Sequence, residues 1–345
     1  MYYLHRAYSV LREIGVCGLV KHCMKFIKYK FFLCIDALPI VGSSRRAGKV
    51  HANGSASART LPDNVNRPIH IPYSKSENGI RFDRAAVVAH IFYPEMTAEI
   101  IQYLKNIPIP FGLFISTDTE EKKAYINGVM ANSGLELVEF EIRVMPNRGR
   151  DIAPKYVGFR DVYERYEAFL HIHSKKSAYN EELGTIWRQH LFAHLIGSRE
   201  IAQTNLEILS TGNVGIVYPD HLRQIKKHID WGYDFPIVKA LLERIGVTIT
   251  LNTVLEFPSG SMFWARTEAI QRILDLNLDF TDFPKENSQI DGTLAHAIER
   301  ALLFFVEGAG QSWTRVSIRP PKNNILINER KFVPLTGSEL EGRYR

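Results

Sequence analysis

The chain has 345 residues, 45% apolar and 23% charged, the balance of a soluble globular protein with material for one large domain or two small ones. Its net charge is +6, of which residues 1–36 supply +4 (six Lys/Arg against two acids). The +2 left for the body argues against a nucleic-acid-binding face. Cys17, Cys23 and Cys34 all lie in that N-terminal piece, so the body has no disulfide framework and no CxxC metal pair. No apolar run approaches the ~20 residues that span a bilayer, and the N-terminus has no signal-peptide pattern. A cytoplasmic protein is expected.

Residues 1–40 read as a basic amphipathic helix. Arg6, Lys21, Lys25 and Lys28 fall within an arc of roughly 100° on a helical projection. Leu4, Tyr8, Leu11, Leu19 and Phe26 lie on another side. Such a helix either lies on anionic lipid at the inner membrane face or packs on the body or a partner chain. Residues 41–70 are rich in Gly, Ser, Ala, Asn and Arg and read as a flexible linker. Residues 80–312 form the folded domain, and residues 313–345 a polar peripheral tail.

Within the domain, apolar runs of strand length alternate with helical patterns. Strands are predicted at 85–93, 111–117, 135–144, 169–173 and 214–219, with another entered from a Gly-containing loop at 257–266. Helices are predicted at 96–104, 119–130, after 151, at 185–195, 199–209 and 236–245, and from 290 onward. Thr119 and Thr267 are expected as N-caps. This order predicts an α/β fold: a mostly parallel, Rossmann-like central sheet with helices on both faces. Ligands in such folds bind at the carboxyl ends of the strands. Tyr93, Thr117, Asp118, the 147–151 loop and the 173–176 loop all fall there.

Four groups of residues carry the chemistry. In Asn147-Arg148-Gly149-Arg150-Asp151, the glycine allows a close backbone approach and the arginines suit phosphate. The alternative is a surface turn with an N-cap aspartate. His171 and His173 share one face of their strand, as metal ligands or as core histidines. Lys175 and Lys176 leave the strand together, where they either neutralise a diphosphate or are solvated. Asp291, with His296, Glu299 and Arg300 on the helix after it, is either a helix cap or a general base. Trp187 with Arg188, and Trp264 after Gly260, are either core or sugar-stacking groups.

Taken in order, 147–154 (NRGRDIAP), 171–177 (HIHSKKS), Trp187-Arg188, 260–264 (GSMFW) and 291–300 (DGTLAHAIER) resemble the rhamnan synthesis protein F family of bacterial polysaccharide assembly. The resemblance covers residues 85–310. It implies a GT-A-like glycosyltransferase, often of rhamnose, acting in O-antigen or cell-wall polysaccharide synthesis. It also implies a nucleotide-sugar donor of the dTDP-rhamnose kind and a lipid-linked glycan acceptor. By that likeness Tyr93, Asp118 and the 147–151 loop contact the nucleotide, and Asp291 deprotonates the acceptor hydroxyl. GT-A members carry Asp-x-Asp for Mg2+ or Mn2+ where this chain has His171-Ile172-His173, so either a divalent cation held otherwise or the lysines neutralise the diphosphate. The rival reading is a non-catalytic module that binds a glycan or nucleotide sugar.

Overall fold

The computed structural model describes residues 67–72, 79–174, 181–286 and 291–318. The expected helix at 1–40, most of the expected linker, and Lys175 and Lys176 lie outside these residues.

Eight strands form one sheet. They are β1 (Ile69–His70), β2 (Ala85–His90), β3 (Phe111–Thr117), β4 (Glu139–Val144), β5 (Ala168–His173), β6 (Val214–Pro219), β7 (Phe263–Arg266) and β8 (Ser312–Ser317). Their order is β1-β8-β6-β7-β5-β2-β3-β4, and every pairing is parallel except those of β7, which runs antiparallel between β5 and β6. The α/β fold with a mostly parallel sheet is therefore present. Its two margins differ from expectation. Ile69–His70 falls in the stretch expected as linker yet pairs with β8. The tail expected from residue 313 begins as a sheet strand, because Trp313, Thr314 and Val316 are buried.

The pleat divides the core in two. Ala86 and Val88 of β2 face one apolar cluster with Phe114, Phe159 and Phe169. Ala85, Val87 and Ala89 face the other with Ile115, Leu170 and Ile172. Period-two alternation alone sends neighbours to opposite faces, so a strand buried on both sides must be apolar throughout. Among the described residues the helices of two turns or more that cover the faces are α1 (Thr97–Leu104), α2 (Glu120–Met130), α3 (Glu181–Ile196), α4 (Arg199–Leu209), α5 (Phe235–Glu243) and α6 (Leu294–Gly308). Ile100, Ile126, Phe192 and Leu206 place α1 to α4 on the second face. Leu241 and Leu302 place α5 and α6 on the first.

Helix starts follow local chemistry. Thr119 accepts from the Lys122 amide at 3.2 Å and caps α2 as expected. Thr119→Ala is expected to lower stability by ~1 kcal/mol, read from the urea midpoint. Thr267 is no cap; its hydroxyl donates to the Tyr166 carbonyl at 2.5 Å and ties β7 to the segment before β5. The helix expected after residue 151 is irregular: a π turn over Pro154–Gly158 and a 3-10 turn over Arg160–Glu164. Pro154, Lys155 and Tyr156 are buried side by side there, which the wider π turn accommodates.

Candidate functional site

Parallel pairing brings the carboxyl ends of β2 to β5 to one edge. Backbone bonds lace them together. Ser174 N donates to His90 O at 2.9 Å, Ile91 N to Ser116 O at 2.8 Å, and Met145 N to Thr117 O at 2.8 Å. The Ser174 hydroxyl then accepts from Tyr93 N at 2.9 Å, so the loops after β2 and β5 share a hinge point. Asp118, after β3, pairs with Lys122 one helical turn on, at 2.5 Å. Lys122 also stands 3.7 Å over the Phe92 ring.

The 147–151 loop turns twice with positive φ, 66° at Gly149 and 54° at Arg150. An added Cβ at Gly149 would meet Phe283 Cδ1 at 2.6 Å and Ala153 Cβ at 2.7 Å, so a side chain there is excluded by space as well as by φ. The 283–286 segment braces the loop from the other side. Arg148 Nη1 donates to the Phe283 carbonyl at 2.7 Å, Glu286 N to the carbonyl of exposed Asn147 at 3.4 Å, and Arg150 pairs with Glu286 at 3.5 Å. Arg148, expected to hold phosphate, is thus spent on the backbone, and Arg150 is the exposed arginine of the pair.

Beneath the loop lies a buried polar group. Lys155 is 1% exposed. It donates to Ser261 Oγ at 2.9 Å, meets His171 Nδ1 at 3.3 Å, and stands 3.9 Å from Asp151 Oδ2. Burial pushes its pKa down to about 8, against the pull of Asp151. Burial opposes ionisation of Asp151, but its electrostatic interactions with His173, Lys155, His171 and His90 prevail and hold its carboxyl below the usual range. His171 and His173 do share a face, with ring centroids 6.0 Å apart. They meet the carbonyls of Ser261 and Gly260 at 2.5 and 2.7 Å. Both are buried histidines bonded to backbone. The Lys155 ammonium against His171 does not fit a divalent cation at the position where GT-A members hold one.

A second buried group lies at the start of α6. Asp291 was read as a possible cap, but Thr293 is the N-cap, accepting from His296 N at 3.5 Å. Asp291 Oδ2 instead accepts from Tyr233 N at 3.0 Å, and Oδ1 lies 3.2 Å from Arg300 Nη1. The same Nη1 bonds Asp234 Oδ2, and Arg300 Nε donates to Asp230 O at 2.8 Å. Gly232 has φ +52°, and a Cβ there would collide with Asp291 Oδ2; only glycine lets the carboxylate approach so closely. Burial opposes the charge on Asp291, but Arg300 overcomes it and holds the pKa down at about 2. Burial pushes Asp234 well above the usual carboxylate range despite Arg300. His296 Nδ1 meets Thr293 Oγ1 at 2.8 Å, while burial pushes its pKa down to about 3. Glu299, one helical turn further, accepts from Gly260 N at 3.0 Å and so links this group to the β5 histidines.

Three expected contacts are drawn away. Trp264 is 0% exposed, sits in the second apolar cluster and donates its indole N–H to Leu195 O at 3.1 Å. It is a core residue and cannot stack on a sugar. Arg188 is buried against Glu99 of α1 at 3.3 Å, so its charge is neutralised within the helical layer. Trp187 underlies Gly260, where an added Cβ would lie 3.2 Å from its ring, and shapes the turn from below. Lys155, Asp234 and His90 carry site electrostatics that sequence reasoning missed. The four-residue step from Asp151 to Lys155 was the one local signal.

The neutral histidines give this region a pH signature. Desolvation pushes His90 down to about 4 and His296 to about 3, and burial holds His171 well below its ordinary value. Unfolded histidines titrate near ~6.5, so the unfolded chain takes up more protons as pH falls below that value. Stability is therefore lost on acidification, by ~2 kcal/mol at pH 5 for each histidine that stays neutral, with Asp234 offsetting part. Urea midpoints at pH 7 and pH 5 read this directly; equal midpoints would contradict it.

An α/β domain whose buried charges gather at the carboxyl edge of a parallel sheet belongs to the ligand-binding α/β class. Residues 64–310 match the rhamnan synthesis protein F family, and the chain belongs to that family. It is 33% identical over 234 residues to the uncharacterized protein WxcX of Xanthomonas campestris pv. campestris strain B100, covering 67% of this chain and 32% of that protein. WxcX of a second strain is 32% identical over the same length. The chain thus spans about a third of the length of the curated relatives it matches. Among solved structures, glucosyl-3-phosphoglycerate synthase from Mycobacterium tuberculosis with Mn2+, UDP-glucose and phosphoglyceric acid overlaps 67% of this chain and 81% of its own at 10% identity and a TM-score of 0.30. A second complex of that enzyme covers 73% and 97% at the same identity and score. Overlaps this slight carry no inference about this chain. Among the described residues no helix is long and apolar enough to cross a membrane.

Proposed function

We propose that this chain is a glycosyltransferase that moves a sugar, rhamnose in the first instance, from a nucleotide-sugar donor to a growing bacterial polysaccharide of the rhamnan or O-antigen type. The observation that carries the reading is the edge where the ends of β2 to β5 meet the start of α6. Arg150 of the 147–151 turn and Asp291 both act through their charges on His296 of α6. Membership of a family named for rhamnan synthesis supports the same reaction class.

In this reading Tyr93, Asp118 and the 147–151 loop face the nucleotide. Arg150 faces the diphosphate, and Lys175 and Lys176 are proposed to join it. Asp291 takes the proton of the acceptor hydroxyl, whose oxygen attacks the anomeric carbon. The bond from that carbon to the phosphate oxygen breaks, and its electron pair leaves with the nucleoside diphosphate. The acceptor is proposed as a lipid-linked glycan at the inner membrane face, with residues 1–40 on the lipid surface. A non-catalytic sugar-nucleotide module is the second reading, favoured by one observation: both oxygens of Asp291 are already engaged by Tyr233 and Arg300.

The test is a panel of dTDP-, UDP- and GDP-sugars with linkage analysis of the product, run with and without chelator. Transfer from one donor supports the enzyme. Donor binding with no product from any of them establishes the module.

A further inference from the structure

The group at the start of α6 has more ligand atoms than its contacts use. Arg300 Nη1 takes one oxygen from each aspartate, Oδ2 of Asp234 and Oδ1 of Asp291. Asp234 Oδ1 and His296 Nε2 are buried and make no hydrogen bond. Asp234 is 0% exposed and His296 8%, so water does not readily serve either atom. A buried acceptor left without a partner costs about 1–3 kcal/mol, so two in one cluster need an explanation.

The three side chains converge. One ligand atom from each of Asp234, Asp291 and His296 lies within 4.8 Å of the other two. Thr293 Oγ1 fixes the imidazole through Nδ1, which leaves Nε2 as the nitrogen open to a ligand. Arg300 and Tyr233 N orient the carboxylates from outside, the arrangement that outer partners give to metal-ligating groups.

We propose that Asp234, Asp291 and His296 form a divalent-cation site, with Arg300 as its outer partner. Two carboxylate oxygens and one imidazole nitrogen in a buried, cramped site suit a small borderline cation, Zn2+ ahead of Mn2+, over Mg2+. The site lies at the starts of α5 and α6 and shares none of its three ligands with the β5 end, where Lys155 stands against His171.

The site does not rest on the transferase reading, but it bears on it. A carboxylate engaged by a cation cannot serve as the base, so a cation bound here inhibits transfer through Asp291.

The experiment is a titration of the full chain with Zn2+ and with Mn2+, without nucleotide, by calorimetry and by electron paramagnetic resonance. One Mn2+ is expected per chain, with a nitrogen coupling from imidazole, displaced by Zn2+ and not by Mg2+. His296→Ala abolishes the coupling and weakens binding at least tenfold. Asp234→Asn, which leaves an amide oxygen for Arg300, also weakens it and serves if the first variant melts early. His70→Ala, an exposed histidine on β1, leaves it unchanged. No stoichiometric binding, or binding that survives both cluster variants, overturns the site. Binding with undiminished turnover leaves the site standing and removes Asp291 from the base role.

Discussion

Arg300→Met is expected to lower global stability by about 3–5 kcal/mol, the largest loss of any single polar substitution considered in this fold. Arg300 is the shared counter-charge of Asp234, 0% exposed, and of Asp291, whose side chain is 5% exposed. Methionine fills much of the same volume along α6, so the loss is electrostatic and not a cavity. It strands one ionised carboxylate beside another that already resists ionisation. The remaining helix contacts, Leu302 and Phe305 in the apolar cluster, are untouched. Urea unfolding reads the change as a lower midpoint at unchanged slope. The cause is separable from packing by a second substitution. Asp234→Asn removes the carboxyl group that faces Asp291 across Arg300, so the Asp234→Asn/Arg300→Met pair should lose less than the sum of the single losses. Strict additivity would show that the ion pairs contribute little and that the arginine stem carries the effect.

What the sequence revealed, and what it hid, follows from the range of each interaction. β2, β3 and β5 were legible because burial on both faces demands uninterrupted apolar runs, as in Phe111–Thr117. Thr119 was legible because a cap reaches only three residues along the chain. The convergence of Tyr93, Asp118, Asn147–Asp151 and Ser174 followed from parallel pairing, which fixes which end of each strand lies where. The insertion of β7 antiparallel between β5 and β6 did not follow, since no local feature of Phe263–Arg266 sets its direction.

The same limit governs the site. Arg148 and Arg150 look alike in sequence, yet Arg148 is consumed by the Phe283 carbonyl 135 residues away. Trp264 alternates with Phe263 on a strand buried on both faces, so its apolar neighbours decide its role. Asp291 looked like a helix cap because it precedes an amphipathic run. Its true partners are Tyr233 and Arg300, and only the close turn at Gly232 makes room for it. Asp234 carried no visible signal, because its significance lies in one arginine 66 residues later.

Asp291→Asn separates the proposed roles of that carboxylate. If it is the base, turnover falls by about 10²–10⁴ while donor binding and the fold persist. The fold persists because asparagine still offers Tyr233 N an oxygen acceptor, and Arg300 keeps Asp234. The pH profile adds a constraint of sign. A base acts when ionised, and Arg300 holds the Asp291 pKa down at about 2, so the group is charged throughout the neutral range. Protonation of this base therefore produces no acid limb in kcat/KM between pH 5 and 8; any loss of rate there must come from another group or from unfolding driven by the buried histidines. A low pKa also makes a weak base, so the proton transfer must be drawn by the developing bond at the anomeric carbon rather than by the basicity of the resting carboxylate. Asp291→Glu should not rescue the reaction, because the added methylene would press the carboxylate into Gly232. Near-normal turnover in Asp291→Asn would remove the base assignment outright. Lost Mn2+ binding in the same variant would mark Asp291 as a cation ligand as well.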